Sequence, residues 1–390
     1  MKIIVSKNLN THIFIIVFAL LFVYIGNKVA SSELAVDLLS DENETVNAVV
    51  TNVIDISLNE ENWWSQTTIS FEARITKGER KNEIVAATQS YSSFLTAEPV
   101  NVTKGARILL VYNDALPDFS GEWHYLDHVR INKLIALGAV FAVLLVIFGR
   151  VKGINTILSL GFTCIAIFAV FIPSILSGKN IYVSSIIICI YTIVVTLFIL
   201  NGINKKSITA VIGCFGGVLA AACITLLMNG ILNLTGWLNN ESTYLVNLPI
   251  ERPIDLIAII FAGIIIGALG AVMDVAVSIS SALWELKEEI EGISFKTLFR
   301  SGLNIGKDIM GSMANTLVLA YIGSSLTVIL VLIVYSSSVS DLINREMLTV
   351  EILQALVGSL GILLTMPLTA IISAALYTSH GLDRDSKNTV

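Results

Sequence analysis

The sequence predicts an all-α polytopic membrane bundle of about eight transmembrane helices, with a small β-rich extracytoplasmic domain between the first and second spans. Three observations carry that prediction. Of the 390 residues, 55% are hydrophobic and 14% charged, and mean hydropathy is +0.80, whereas soluble domains carry about 25% charged residues. Apolar runs close to the ~20 residues that cross a bilayer recur along the chain. The stretch after the first run is different in kind, rich in charges and amides, with short alternating segments.

Residues 1–30 form the first element, a signal-anchor or first transmembrane helix. Lys2 and Lys7 precede an apolar run from His12 to Gly26. The run is short for a span, so a cleaved signal peptide with a site near Ala30–Ser32 is the alternative to an uncleaved anchor. Residues 31–130 follow as the exported domain, with five strands expected at Val46–Ile56, Thr67–Thr76, Glu83–Tyr91, Ala106–Tyr112 and His124–Ile131. Alternation is plain in Ile69-Ser-Phe-Glu-Ala-Arg-Ile75, and Lys77-Gly78 and Lys104-Gly105 mark turns, so a small barrel or sandwich is expected.

Residues 131–380 then make a seven-helix membrane domain, with spans at about 134–149, 154–177, 181–201, 208–232, 254–282, 309–335 and 351–378, and residues 381–390 are a tail. Placing the N-terminus in the cytoplasm puts twelve cations inside: Lys2, Lys7, Arg150, Lys152, Lys205, Lys206, Lys287, Lys296, Arg300, Lys307, Arg384 and Lys387. The short outside loops receive only Lys179, Arg252 and Arg345. That bias puts both termini in the cytoplasm, with the β-rich domain on the other side of the membrane.

Several function classes lose support. No basic tract is interleaved with aromatics, so nucleic-acid binding is not expected. No glycine-rich phosphate loop follows a strand, so ATP-driven transport would need another subunit, and no cofactor is expected. Cys164, Cys189, Cys214 and Cys223 sit singly in apolar runs and read as packing residues. His124 and His128 are four apart; on a strand they share a face but lie too far apart for one metal. No nucleophile–base set occurs at one depth, so the chain is not expected to be an enzyme.

The polar residues of the membrane domain concentrate in its last three spans. Asp274 is a lone carboxylate in the sixth, phased at helical spacing with Gly263, Gly267, Gly270, Ser278 and Ser281. A charge at the bilayer centre costs about 2.5–3.5 kcal/mol on insertion scales, so such an acid faces a partner or a wet cavity. On the seventh span Asp308, Gly311, Ser312 and Asn315 share a face, and on the eighth Gly358, Thr365 and Thr369 do, with Pro367 expected to interrupt the helix and free backbone carbonyls. Asp274, Asp308, Asn315, Gly270, Gly311, Thr365 and Pro367 are therefore the candidate site for a small solute or ion. The plainer alternatives are that Asp274 bonds a neighbouring helix and fixes packing, that Asp308 caps the seventh helix, and that the glycines are helix contacts.

These residues carry a family likeness. Gly263-Ile-Ile-Ile-Gly-Ala-Leu-Gly-Ala-Val-Met-Asp-Val-Ala-Val-Ser-Ile-Ser-Ser-Ala-Leu283 resembles the YibE/F family of bacterial multi-pass membrane proteins. So does Ser301-Gly-Leu-Asn-Ile-Gly-Lys-Asp-Ile-Met-Gly-Ser-Met-Ala-Asn-Thr-Leu-Val-Leu-Ala-Tyr-Ile-Gly-Ser-Ser-Leu326. Glu351-Ile-Leu353, Gly358-Ser-Leu-Gly361, Pro367-Leu-Thr369, Lys152-Gly153 and the run Gly202-Ile-Asn-Lys-Lys-Ser207 are similar too, and together the matches cover most of residues 130–378. In the exported domain only Lys104-Gly-Ala-Arg107 looks like the family's turn, with Ala106 where that turn has an acid. The resemblance implies a permease-like membrane protein and supplies no substrate. Two functions are carried forward: a secondary transporter or permease with Asp274 at its site, and a non-transporting anchor whose exported domain binds an envelope protein. Besides the lipid bilayer, a homo-oligomeric partner is the other expectation.

Overall fold

The computed structural model describes residues 2–31, 44–61, 64–92, 100–113, 122–238, 240–248, 250 and 252–378. They fall into two compact units, one from Asp37–Leu144 and one from Met1–Val36 with Leu145–Val390. The expected tail at 381–390 lies outside the described residues.

In the first unit, β1 (Glu44–Glu61), β2 (Trp64–Ile75), β3 (Ile84–Ser92), β4 (Arg107–Asn113) and β5 (Glu122–His128) close into a barrel in the order β1-β2-β3-β5-β4. Of the two shapes the sequence allowed, the barrel forms. Neighbours run antiparallel except β3 and β5, which pair in parallel at Ala87–Trp123 and Thr88–His124. The two-residue period sorts side chains. Ile69, Phe71, Ala73 and Ile75 are fully buried together with Ile108 and Leu110, while Glu72 and Arg74 between them are exposed. Gln89, only 2% exposed, is the polar exception, and its amide bonds the Val100 carbonyl at 3.2 Å and the Val102 N–H at 2.9 Å. Strand β1 runs past the expected Ile56 and carries two irregularities, between Val50 and Asn52 and between Val53 and Asp55. The last strand stops at His128, short of the expected Ile131, because helix α2 (Ile131–Gly149) begins there.

In the second unit, α1 (Lys2–Ala30) is followed after the barrel and α2 by α3 (Val151–Ala166), a π-helical turn (Ile167–Phe171) and α4 (Ile172–Leu176). Then come α5 (Ile181–Asn201), α6 (Lys205–Ile231), α7 (Asn240–Val246), α8 (Leu256–Glu289), α9 (Phe295–Ser324), α10 (Leu326–Tyr335), α11 (Val339–Asn344) and α12 (Glu346–Thr378). Among the described residues seven helices are long and apolar enough to cross a membrane, and the bent pair α9–α10 makes eight. Short polar loops start them. Asn180, Asn204, Asp255 and Ser294 cap α5, α6, α8 and α9 through side-chain oxygens that accept from the third residue on.

Helix α1 packs into this unit. Phe22 stacks on Tyr191 with ring centroids 4.2 Å apart. Pro173 has no N–H to return to the Ala169 carbonyl four residues earlier, and Asn27 Nδ2 donates to that carbonyl at 2.6 Å. The Ser177 hydroxyl and Lys179 Nζ donate to the Ala30 and Val29 carbonyls at the same end.

The centre is α12, which packs on α6, α8 and α9. Small residues make this possible. A Cβ on Gly213 would lie 2.1 Å from Thr369 Oγ1, and one on Gly217 would lie 1.8 Å from Thr365 Oγ1, so the α12 threonines seat against bare α6 backbone. Tyr377, 3% exposed, ties three helices at one end, sharing a hydrogen bond with Thr209 of α6 at 2.8 Å and donating to the Ser280 carbonyl of α8 at 3.1 Å. Polar residues concentrate in the last three spans of the sequence, yet α6 joins them at the centre, and α9 buries only Leu298, Gly302 and Gly306. Of the four cysteines, Cys189 and Cys214 are buried as expected of packing residues, while Cys164 and Cys223 are exposed.

At the opposite end Glu346 fastens α12 to the chain leaving α6. Its carboxylate accepts from the Thr235 N–H at 2.7 Å, the Thr235 hydroxyl at 2.7 Å and the Gly236 N–H at 2.6 Å. Glu346→Gln replaces one acceptor with a donor facing donors. A loss of about 1–2 kcal/mol is expected, the low range for charged hydrogen bonds because Thr235 is exposed. Thermal unfolding of the detergent-solubilised chain reads it, and an unchanged midpoint would show that the link contributes nothing.

Candidate functional site

Helices α8 and α9 run antiparallel in a register set by their contacts. A Cβ on Gly302 would meet Leu283, one on Gly306 would meet Ile279, and one on Gly267 would meet Tyr321. Asp274 is therefore level with Gly311, and Gly270 with Asn315. Asp308 lies about one turn further along, level with Val277.

Both helices turn their other faces to the core. Val272, Val275, Ala276 and Ile279 of α8 are fully buried, whereas Gly263, Gly270 and Asp274 are exposed. On α9, Lys307, Asp308, Gly311, Ser312 and Asn315 are exposed as well. A Cβ on Gly263, Gly270 or Gly311 would meet nothing within 4 Å, so these glycines border open space. The Ser312 hydroxyl donates to the Ile309 carbonyl at 2.9 Å and that of Thr316 to the Ser312 carbonyl at 2.8 Å, so both are spent on their own helix. Asp274, Asp308 and Asn315 have no hydrogen bond or ion pair among the described residues. The packing alternative for Asp274, a bond to a neighbouring helix, is thus absent there. What results is two exposed small-residue faces, one on α8 with the acid Asp274 and one on α9 with the amide Asn315.

Two candidates sit elsewhere. Thr365 is fully buried against Gly217, donates to the Gly361 carbonyl at 2.7 Å, and belongs to the α6–α12 contact. Pro367 lies inside an unbroken α12, because the helix absorbs one missing N–H without parting. The broken helix is α9–α10, bent by 63° at Ser325 after Gly323-Ser324, a pair of the kind that permits sharp kinks. Asp308 does not cap the seventh helix either. It lies in the middle of α9, which starts at Phe295 and is capped by Ser294.

Tyr321 is the neighbour that sequence reasoning missed. Its hydroxyl lies 2.5 Å from where a Gly267 Cβ would be, with the Gln354 amide of α12 3.4 Å from the same point. A tyrosine in an apolar run opposite a phased glycine is the signal that pairs them. The two histidines of the barrel make local contacts, His124 Nδ1 with Thr88 and His128 Nδ1 with Tyr125.

A family model described as YibE/F-like protein matches residues 137–379, which include α8, α9 and α12. No curated protein and no solved structure matches the chain.

Proposed function

The chain belongs to the YibE/F-like family, and from that premise we propose that it is a secondary transporter or permease of a bacterial cytoplasmic membrane. Its eight apolar helical segments cross the bilayer, with both termini in the cytoplasm and the barrel outside. The exposed faces of α8 and α9 around Asp274 and Asn315 are the site for a small solute or ion, with no enzymatic step and no cofactor. One observation carries this: Asp274 lies on the open face of α8, about 27 Å along the helix from its first residue, level with an uncovered glycine. A carboxylate at that depth is stable only when hydrated, paired or protonated, and each of those states is a step a coupled carrier uses. Asn315 and Asp308 supply the polar steps on the neighbouring helix.

The test is flux. Liposomes holding the purified chain and a trapped pH-sensitive dye are expected to collapse an imposed pH gradient faster than protein-free liposomes. Equal rates across gradients of either direction would overturn proton coupling.

A second reading has its own support, because the barrel is a compact unit with a core of its own. In it the helices are an anchor and the barrel binds an envelope protein or a second copy. Loss of phenotype on deleting residues 35–128, with Asp274→Asn silent, would favour it.

A further inference from the structure

The base of the barrel holds a cationic cavity that the transport reading does not use. Its volume is about 830 Å³, and among its lining residues Arg107, Arg130 and Lys133 carry the charge. A second cavity of about 270 Å³ shares Arg107, Val129 and Asn132 with it and adds Lys77. No acidic residue lines either among the described residues. The nearby acid is Asp127, which is committed to Arg130 at 2.6 Å, and the guanidinium bond holds its carboxyl below the usual range. Arg107 and Lys133 make no ion pair among the described residues, so two exposed cations remain uncompensated.

What surrounds the cavity identifies the anion. Asn132, Lys133 and Leu134 of its lining are the first turn of α2. That helix has no buried residue, and Ile131, Leu134 and Ile135 are each about 60% exposed. If α2 crosses the bilayer, as proposed above, this turn sits at headgroup depth with acyl chains beside it. The Val129 N–H donates to the Arg107 carbonyl at 2.9 Å, so the last strand carries the cations down onto that turn.

We propose that this cavity binds the phosphodiester headgroup of an anionic phospholipid, of the phosphatidylglycerol type, on the barrel's side of the membrane. Arg107 and Lys133 contact the phosphate, and Leu134 flanks the first carbons of an acyl chain. Arg130, already paired with Asp127, orients rather than adds charge. The Lys104-Gly-Ala-Arg107 turn gains a role on this account, because Gly105, with φ of +86°, turns the chain so that Arg107 starts β4 at the cavity wall.

The experiment is native mass spectrometry of the full chain in a neutral detergent, with phosphatidylglycerol, phosphatidylcholine and inorganic phosphate offered separately and in competition. The wild-type chain is expected to retain phosphatidylglycerol over phosphatidylcholine, with millimolar inorganic phosphate displacing little of it. Juxtamembrane cations contribute a factor of about five each, so Lys133→Gln should weaken retention about fivefold and Arg107→Gln/Lys133→Gln about 25-fold. Arg74→Gln/Lys81→Gln, two exposed cations away from the cavity, should change nothing. Asp274→Asn should also retain the lipid, which separates this site from the transport reading. Equal retention of the two lipids, an unaffected double variant, or phosphate binding without lipid preference would each overturn the proposal. Should the double variant unfold, Lys133→Gln alone decides, since its side chain is exposed.

Discussion

Liposomes carrying Asp274→Asn are expected to lose proton-linked flux down to the rate of protein-free vesicles, while the variant protein melts at the wild-type temperature or above it. The substitution keeps shape and removes the exchangeable proton. The two halves of the outcome have different causes. Flux goes because an amide cannot cycle between neutral and charged forms. Stability holds because the native acid has no hydrogen bond or ion pair among the described residues to lose, and a charge at membrane depth costs about 2.5–3.5 kcal/mol that the neutral amide avoids in part. A structural acid would behave in the opposite way, with Asn destabilising the fold and leaving flux intact. Asp274→Glu, which preserves the titrating group, should keep part of the flux. Unchanged flux in the Asn variant would remove Asp274 from the mechanism.

Gly217→Val is expected to abolish recovery of folded, monodisperse protein, and Gly217→Ala to lower stability by about 1–3 kcal/mol, the range for overpacking a close contact. The added Cβ would lie 1.8 Å from Thr365 Oγ1, 3.0 Å from Thr365 Cβ and 3.1 Å from Val272 Cγ1. Turning the Thr365 hydroxyl aside forfeits its bond to the Gly361 carbonyl, and valine adds two methyls that nothing can accommodate without moving α12 from α6. Pairing Gly217→Ala with Thr365→Ala should recover part of the loss, since the nearest collision is with the deleted oxygen. Gly270→Ala and Gly311→Ala are the contrast. Their Cβ atoms meet nothing within 4 Å, so stability should hold. Size-exclusion profiles and melting curves of the five variants check the pattern, and a Gly217→Ala chain that melts like wild type would sink it.

Much of this molecule was legible from periodicity. The Ile69–Ile75 alternation became an inward row of β2, and the phasing of Gly263, Gly270 and Asp274 became one open face of α8. The errors came where a local rule met a tertiary environment. Pro367 reads as a break, yet α12, packed on α6, α8 and α9, runs unbroken through it, and the bend fell at Ser325. Thr365 shares a helix face with other polar residues, but Gly217 of the adjoining α6 claims it.

Sequence alone determined the run of apolar helices long enough to cross a membrane, the strand domain, the family and the single acid in an apolar helix, because hydropathy, period and residue order are properties of the linear chain. Only the tertiary structure decided which polar residues meet. It joined Asp274 to the level of Gly311, sent Thr365 to α6, and gathered Arg107 with Lys133 around one cavity. The physical reason is that helix contacts depend on register and on which neighbour lacks a side chain, and neither is encoded by spacing within one helix.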